Sequence, residues 1–223
     1  MSNLAEEKRY TYRDYIKWDG DVRYELIDGT AYAMATPSRL HQKISKKIFR
    51  QLDDFLTGKT CEVYYAPLAV RLNFDSFDDV VVEPDLFVVC DESKFDNRSV
   101  KGAPDLIVEI LSPHNARHDT VTKFRQYQRA GVKEYWIVDP NAKTVQVHIL
   151  ENGKYTDKVY RDDDVIPVHV LEGCQINLAD VFYDTLELES TDGITIKQRI
   201  IEAMKEKGVY TEQIGKIIGS VES

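Results

Sequence analysis

The stretch from Leu106 to Val138 constrains the fold more than any other part of the chain. Leu106-Ile107-Val108-Glu109-Ile110-Leu111 is apolar apart from one carboxylate, the pattern of a strand buried on both faces. Asp119 to Ala130 then reads as a helix, with Asp119 as its N-cap and Gly131 just past its end. Glu134 to Val138 is a second buried strand, closed by Asp139-Pro140-Asn141. Strand, helix, strand at this spacing is a crossover unit within a mixed sheet. The expected class is α/β or α+β, with a central mixed sheet flanked by helices.

The remaining elements extend that sheet. Thr11 is an acceptable N-cap for a first helix running to Trp18. Asp28-Gly29 between two apolar runs predicts a hairpin, because both turn positions need positive φ. From Ser38 to about Thr57 the spacing of Ile44, Ile48, Leu52, Phe55 and Leu56 predicts an amphipathic helix. Ser38 is placed to cap it and Gly58 to end it. Val63 to Leu72 and Val80 to Val89 read as strands, and Thr144 to Leu150 with Tyr155 to Tyr160 as a meander across Glu-Asn-Gly-Lys. After about Thr191 the composition shifts. Two amphipathic helices, 194–207 and 211–218, are expected as a C-terminal extension (191–223) to a main domain of residues 1–190.

Composition narrows the class of function. A net charge of -9 argues against a general nucleic-acid binder, which carries a basic excess, yet it leaves room for a local basic groove. Cys61, Cys90 and Cys174 are odd in number and far apart, so buried reduced thiols are expected rather than a zinc ribbon or disulfide framework. The polar N-terminus lacks the apolar run of a secretion signal, and no apolar run spans a bilayer. A soluble, cytoplasmic protein with no membrane partner is expected.

Two carboxylates stand out. Pro84 cannot donate to a sheet ladder and favours a strand edge or bulge, which sets Asp85 at an irregular point of a buried strand. Glu109 lies within an apolar strand and needs a cation, a hydrogen-bond donor or water to offset its burial. If the two strands are neighbours, Asp85 and Glu109 converge on one hard cation, and magnesium suits such a site. Asp119, Lys123 and Tyr127 share one helical face, so Lys123 can be aimed at a water held there. Each residue also has a plain reading: Asp85 as a turn or cap residue, Glu109 as a structural buried acid, Lys123 as a solvated lysine paired with Asp119.

These residues sit in a succession that is familiar as a whole. Tyr24-Glu25-Leu26-Ile27-Asp28-Gly29 comes first, then Pro37-Ser38 with His41-Gln42, then Glu83-Pro84-Asp85-Leu86. Pro104-Asp105-Leu106-Ile107-Val108-Glu109-Ile110-Leu111-Ser112-Pro113 follows, then Asp119, Lys123, Tyr127 and Glu134-Tyr135-Trp136-Ile137-Val138-Asp139-Pro140. Over roughly residues 10 to 185 the order resembles the Uma-two family of restriction endonucleases, in the PD-(D/E)XK superfamily. The resemblance implies a restriction-endonuclease-like fold, a divalent metal (Mg2+, with Mn2+ as substitute) and phosphodiester hydrolysis. It makes Asp85, Glu109, Lys123 and Glu25 the catalytic set, with Asp85, Glu109 and the carbonyl of Ile110 as metal ligands. The chain departs from the superfamily at Leu111, where a lysine is expected; Lys123 on the following helix takes that part.

Pro104-Asp105 offers a competing register. Asp105 and Glu109 lie about 13 Å apart along one strand at roughly 3.3 Å per residue, so Asp105 reads better as the residue that opens the strand. His41, Gln42 and Tyr127 are candidate substrate contacts, with His114 and His118 as further candidates for the site wall. The expected partner is nucleic acid, DNA before RNA, and a homodimer is the natural assembly for cutting both strands. The alternative is a binding or interaction protein that keeps the fold without the chemistry. A helix-turn-helix at the C-terminus is disfavoured, because residues 211–220 carry only Lys216 as a base.

Overall fold

The structure, a computed structural model, describes residues 8–112 and 118–183, with the backbone alone for 118–120. The expected C-terminal helices and His114 lie outside the described residues. A short helix α1 (Tyr12–Tyr15) leads into the hairpin of β1 (Tyr24–Ile27) and β2 (Thr30–Ala33). Its turn holds Asp28 at φ 48° and Gly29 at φ 77°, the positive pair that the Asp-Gly step predicts. Helix α2 (Arg39–Leu56) follows, and the Ser38 hydroxyl accepts from the His41 N–H at 3.2 Å.

Each of the next two apolar runs, expected as one strand, is two. β3 (Glu62–Tyr65) and β4 (Ala69–Arg71) are separated at Ala66-Pro67, and β5 (Val81–Val82) and β6 (Leu86–Val89) at Glu83-Pro84. Both runs pass from one sheet to the other at a proline, which has no N–H for the ladder. After β7 (Ser99–Lys101) comes β8 (Leu106–Ile110). A π-helical turn at His118–Lys123 then runs into α3 (Phe124–Ala130), and β9 (Glu134–Asp139) lies parallel to β8. This is the crossover that residues 106–138 predict. β10 (Thr144–Glu151) and β11 (Lys154–Arg161) form the meander, and β12 (Val165–Pro167), β13 (Gln175–Asn177) and α4 (Leu178–Phe182) close the described chain.

A six-stranded mixed sheet runs β11-β10-β9-β8-β6-β3, and a five-stranded sheet runs β2-β1-β5-β4-β7. Side chains of β8 and β6 alternate between two cores. Leu86, Val88, Leu106 and Val108 pack with Ile44, Ile48 and Leu52 of α2. Phe87 and Ile107 pack on the other face with Tyr127 of α3 and with Ile27, Val70 and Val82 of the second sheet. Each fully buried aliphatic side chain contributes roughly 1.5–3 kcal/mol, so the six-stranded sheet is a rigid platform for whatever its central strands carry.

One expectation is corrected. Cys61 and Cys90 are joined in a disulfide across the β3–β6 pair, and only Cys174 keeps a free, buried thiol among the described residues. Continuing the β3–β6 register from Glu62↔Val89 sets the two cysteines opposite one another. Their spacing along the chain carries no trace of that register. Among the described residues, no helix is long and apolar enough to cross a membrane.

Candidate active site

Asp85 directly precedes β6. Continuing the β6–β8 register one step beyond Leu86↔Val108 places it opposite Glu109. Residues opposite in an antiparallel pair project to one face, so adjacent strands bring the two carboxylates together, as the sequence suggests. Pro84 has no N–H to give the ladder, and Asp85 lies at its last step, its carbonyl accepting from the Ala66 N–H at 3.4 Å. Its Oδ2 accepts from the Ile110 N–H at 2.8 Å and meets His41 Nε2 at 3.0 Å, with the side chain 21% exposed. The carboxylate is an acceptor, so His41 Nε2 carries the proton in this contact. His41 Nδ1 is buried and has no partner among the described residues.

Glu109 is only 3% exposed. Its Oε1 receives Lys123 Nζ at 3.0 Å and the Tyr127 hydroxyl at 2.6 Å. Lys123, equally buried, reaches Glu25 Oε1 at 2.9 Å, and that oxygen also accepts from the Glu83 N–H at 2.9 Å. The hairpin thus delivers Glu25, β8 delivers Glu109, and the turn into α3 delivers the lysine between them. Lys123 and Tyr127 meet the same oxygen, as four-residue spacing on one helical face allows.

Tyr127 is fully buried and absent from the cleft wall. Burial first, and then the charges of Glu109 and Glu25, hold its hydroxyl far above the usual tyrosine range. It therefore stays protonated and donates to Glu109. The substrate contact expected of Tyr127 does not fit this position; it is a support for Glu109.

An open cleft of about 300 Å³ lies over these groups, lined by Glu25, His41, Gln42, Asp85, Glu109 and Lys123, with Ile110, Arg23 and Glu83 among its other walls. His41 and Gln42, both from α2, thus lie on the cleft wall. Asp105 is not in the wall. It accepts from the Cys90 N–H at 2.9 Å and pairs with Lys133 at 2.7 Å, which disposes of the competing register.

Sequence reasoning missed Glu83 and Arg23. Glu83 is buried, accepts the Tyr15 hydroxyl at 2.5 Å and forms an ion pair with Arg23. Burial and Glu83 push the Tyr15 hydroxyl well above its ordinary range. A second acid beside Pro84-Asp85 in an apolar run was the available signal.

Three carboxylates, Glu25, Asp85 and Glu109, share the cleft with one ammonium, Lys123, and Glu83 is matched by Arg23. Among the described residues lining the cleft this leaves an excess of acid on hard oxygen donors, the environment a divalent cation neutralises. Among the described residues, no three His, Cys, Asp or Glu side chains form a cluster able to hold a metal ion. The donor chemistry of the cleft, hard oxygens open to water, suits an open cation site and not a closed protein cage.

A mixed sheet flanked by helices, with acids at the ends of paired central strands and a lysine from the crossover helix, defines a nuclease-like fold. The chain belongs to the Uma2 family, described as "Putative restriction endonuclease", which it matches over residues 12–179. It is similar to an uncharacterized protein of Synechocystis sp., 27% identical over 156 residues, covering 68% of this chain and 80% of that one. Its fold is similar to the crystal structure of a "putative nuclease belonging to DUF820" from Anabaena variabilis. That match has a TM-score of 0.65 and 19% identity, covering 79% of this chain and 99% of the other.

Proposed function

We propose that the protein is a divalent-metal-dependent endonuclease that hydrolyses phosphodiester bonds of nucleic acid, with DNA as the substrate. The observation that carries this reading is the buried Glu25–Lys123–Glu109 array set beside Asp85 in an open cleft. Asp85, Glu109 and the Ile110 carbonyl would hold Mg2+ or Mn2+. When bound, the cation supplies positive charge that polarises the scissile phosphate and lowers the pKa of a coordinated water. Lys123, fixed from two sides by carboxylates, orients the attacking water and faces the charge that develops on the phosphoryl oxygens. Tyr127 and Glu25 keep Glu109 and Lys123 in register with one another. His41 holds Asp85 from the α2 side, and Gln42 lies on the wall where the substrate backbone passes. A homodimer would present one such cleft to each strand of a duplex.

The lack of a three-ligand metal cluster among the described residues favours a second reading: a nuclease-fold binding or interaction protein without chemistry. In that case Lys123 only neutralises two buried acids. Calorimetric titration with Mn2+ separates the two. The nuclease reading expects saturable heat from the parent and none from Asp85→Asn. An absence of heat from both proteins would select the silent scaffold.

A further inference from the structure

Helix α2 carries a charge pattern that its own stability does not explain. Its apolar side, Ile44, Ile48, Leu52 and Leu56, is buried against the six-stranded sheet. Between Arg39 and Arg50 the bases are Arg39, Lys43, Lys46, Lys47 and Arg50, with no acid among them, although acids outnumber bases 38 to 29 over the chain. A solvated helix face in an acidic protein ordinarily mixes signs. At 3.6 residues per turn, Arg39, Lys43, Lys46 and Arg50 fall in a stripe about 60° wide and about 16 Å long.

The order of charges along α2 also opposes its macrodipole. Arg39 opens the helix with no acid in the first turn, while Asp53 and Asp54 lie near the other end with no base in the last turn. Each such placement is mildly unfavourable at an exposed site. The bases therefore reinforce the positive end of the helix rather than offset it. That end adjoins the cleft, whose wall includes His41, Gln42 and Ser45 of the same helix.

We infer that the solvent face of α2 is the track for the sugar-phosphate backbone leading into the cleft, with Arg39, Lys46 and Arg50 each meeting a phosphate. The stripe spans about five phosphates of one strand at roughly 3.4 Å each. Arg39, Lys46 and Arg50 are exposed, and among the described residues only Arg50 of the three pairs with an acid, Asp54 at 3.6 Å. Such an exposed pair is worth little and yields readily to a polyanion. The identity of that polyanion rests on the nuclease reading; the charge pattern itself does not.

The test is binding of a labelled DNA duplex, and of the RNA duplex of the same sequence, without metal and over a range of salt. Arg39→Glu/Lys46→Glu/Arg50→Glu is compared with a variant of equal charge change on β11, Lys154→Glu/Lys158→Glu/Arg161→Glu. The α2 variant is expected to bind at least about ten-fold more weakly at ~0.1 M salt, with a log–log salt slope shallower by roughly 2–3. The β11 variant should bind as the parent does, and melting of the α2 variant should change little, since Arg39→Glu suits the dipole while Arg50→Glu sets a like charge beside Asp54. The duplex that binds tighter names the substrate. Equal losses in both variants, no loss in either, or no binding by the parent would overturn the inference. Metal-dependent cleavage is read separately, so cleavage with an indifferent α2 sinks only this inference. Binding through α2 without cleavage sinks only the nuclease reading.

Discussion

Replacing Lys123 by Met removes one charge from between two buried acids while keeping most of the side-chain volume. Lys123, Glu25 and Glu109 have side chains only 4% exposed, and the lysine reaches the two carboxylates at 2.9 and 3.0 Å. After substitution Glu25 keeps the Glu83 N–H and Glu109 keeps the Tyr127 hydroxyl, but both lose the charge of the lysine. Removing one partner of a buried ion pair costs about 3–5 kcal/mol, because the uncompensated charge stays behind. For a chain of this length each kcal/mol moves the midpoint by about 2–4 °C, so melting without metal at neutral pH should fall by about 6–20 °C. Adding Glu25→Gln should restore part of the loss, since one of the two stranded charges is then gone. A fall of less than about 1 kcal/mol, the worth of an exposed pair, would refute the buried array.

Tyr127→Phe should lower kcat and leave KM unchanged in a cleavage assay, because it deletes only the hydroxyl bonded to Glu109 at 2.6 Å; a raised KM with kcat intact would return Tyr127 to a substrate-contact role. His148 is buried among the rings of Phe124, Tyr135 and Tyr155, and burial depresses its imidazole pKa against the opposing charge of Asp157. The unfolded chain then takes up the proton first, so this share of stability is present above about 6.5 and lost as the pH falls through the depressed folded value. His148→Phe should flatten the decline in melting temperature below that pH, and an unchanged decline would count against the burial argument. Thiol titration of the denatured, unreduced protein should find one thiol, Cys174, where three would show the Cys61–Cys90 link to be absent.

Features governed by a few neighbouring residues were legible before the structure. Asp28-Gly29 and Asn152-Gly153 each place two positive-φ residues in a row, and both are hairpin turns. The i,i+4 relation of Lys123 and Tyr127 carried through to one shared acceptor. The apolar frame around Glu109 marked it as an acid that must be compensated. What escaped depends on register between distant segments. The halves of Val63–Leu72 and Val80–Val89 are apolar in both sheets, so hydropathy gives no sign of the crossing. Arg23 and Glu83 meet across 60 residues, and Cys61 and Cys90 across 29. Gln42 was legible as part of a motif, whereas the basic stripe beside it became meaningful only once the cleft was placed at the start of α2.

The most direct test of the central claim is cleavage of plasmid DNA in Mg2+ or Mn2+ by the parent protein beside Asp85→Asn, with the folding of both verified by melting. The account predicts nicking or linearisation by the parent that disappears with chelator and is lost in Asp85→Asn. Equal cleavage by both proteins, or cleavage that survives chelation, would contradict the assignment of this cleft as a metal-dependent nuclease site.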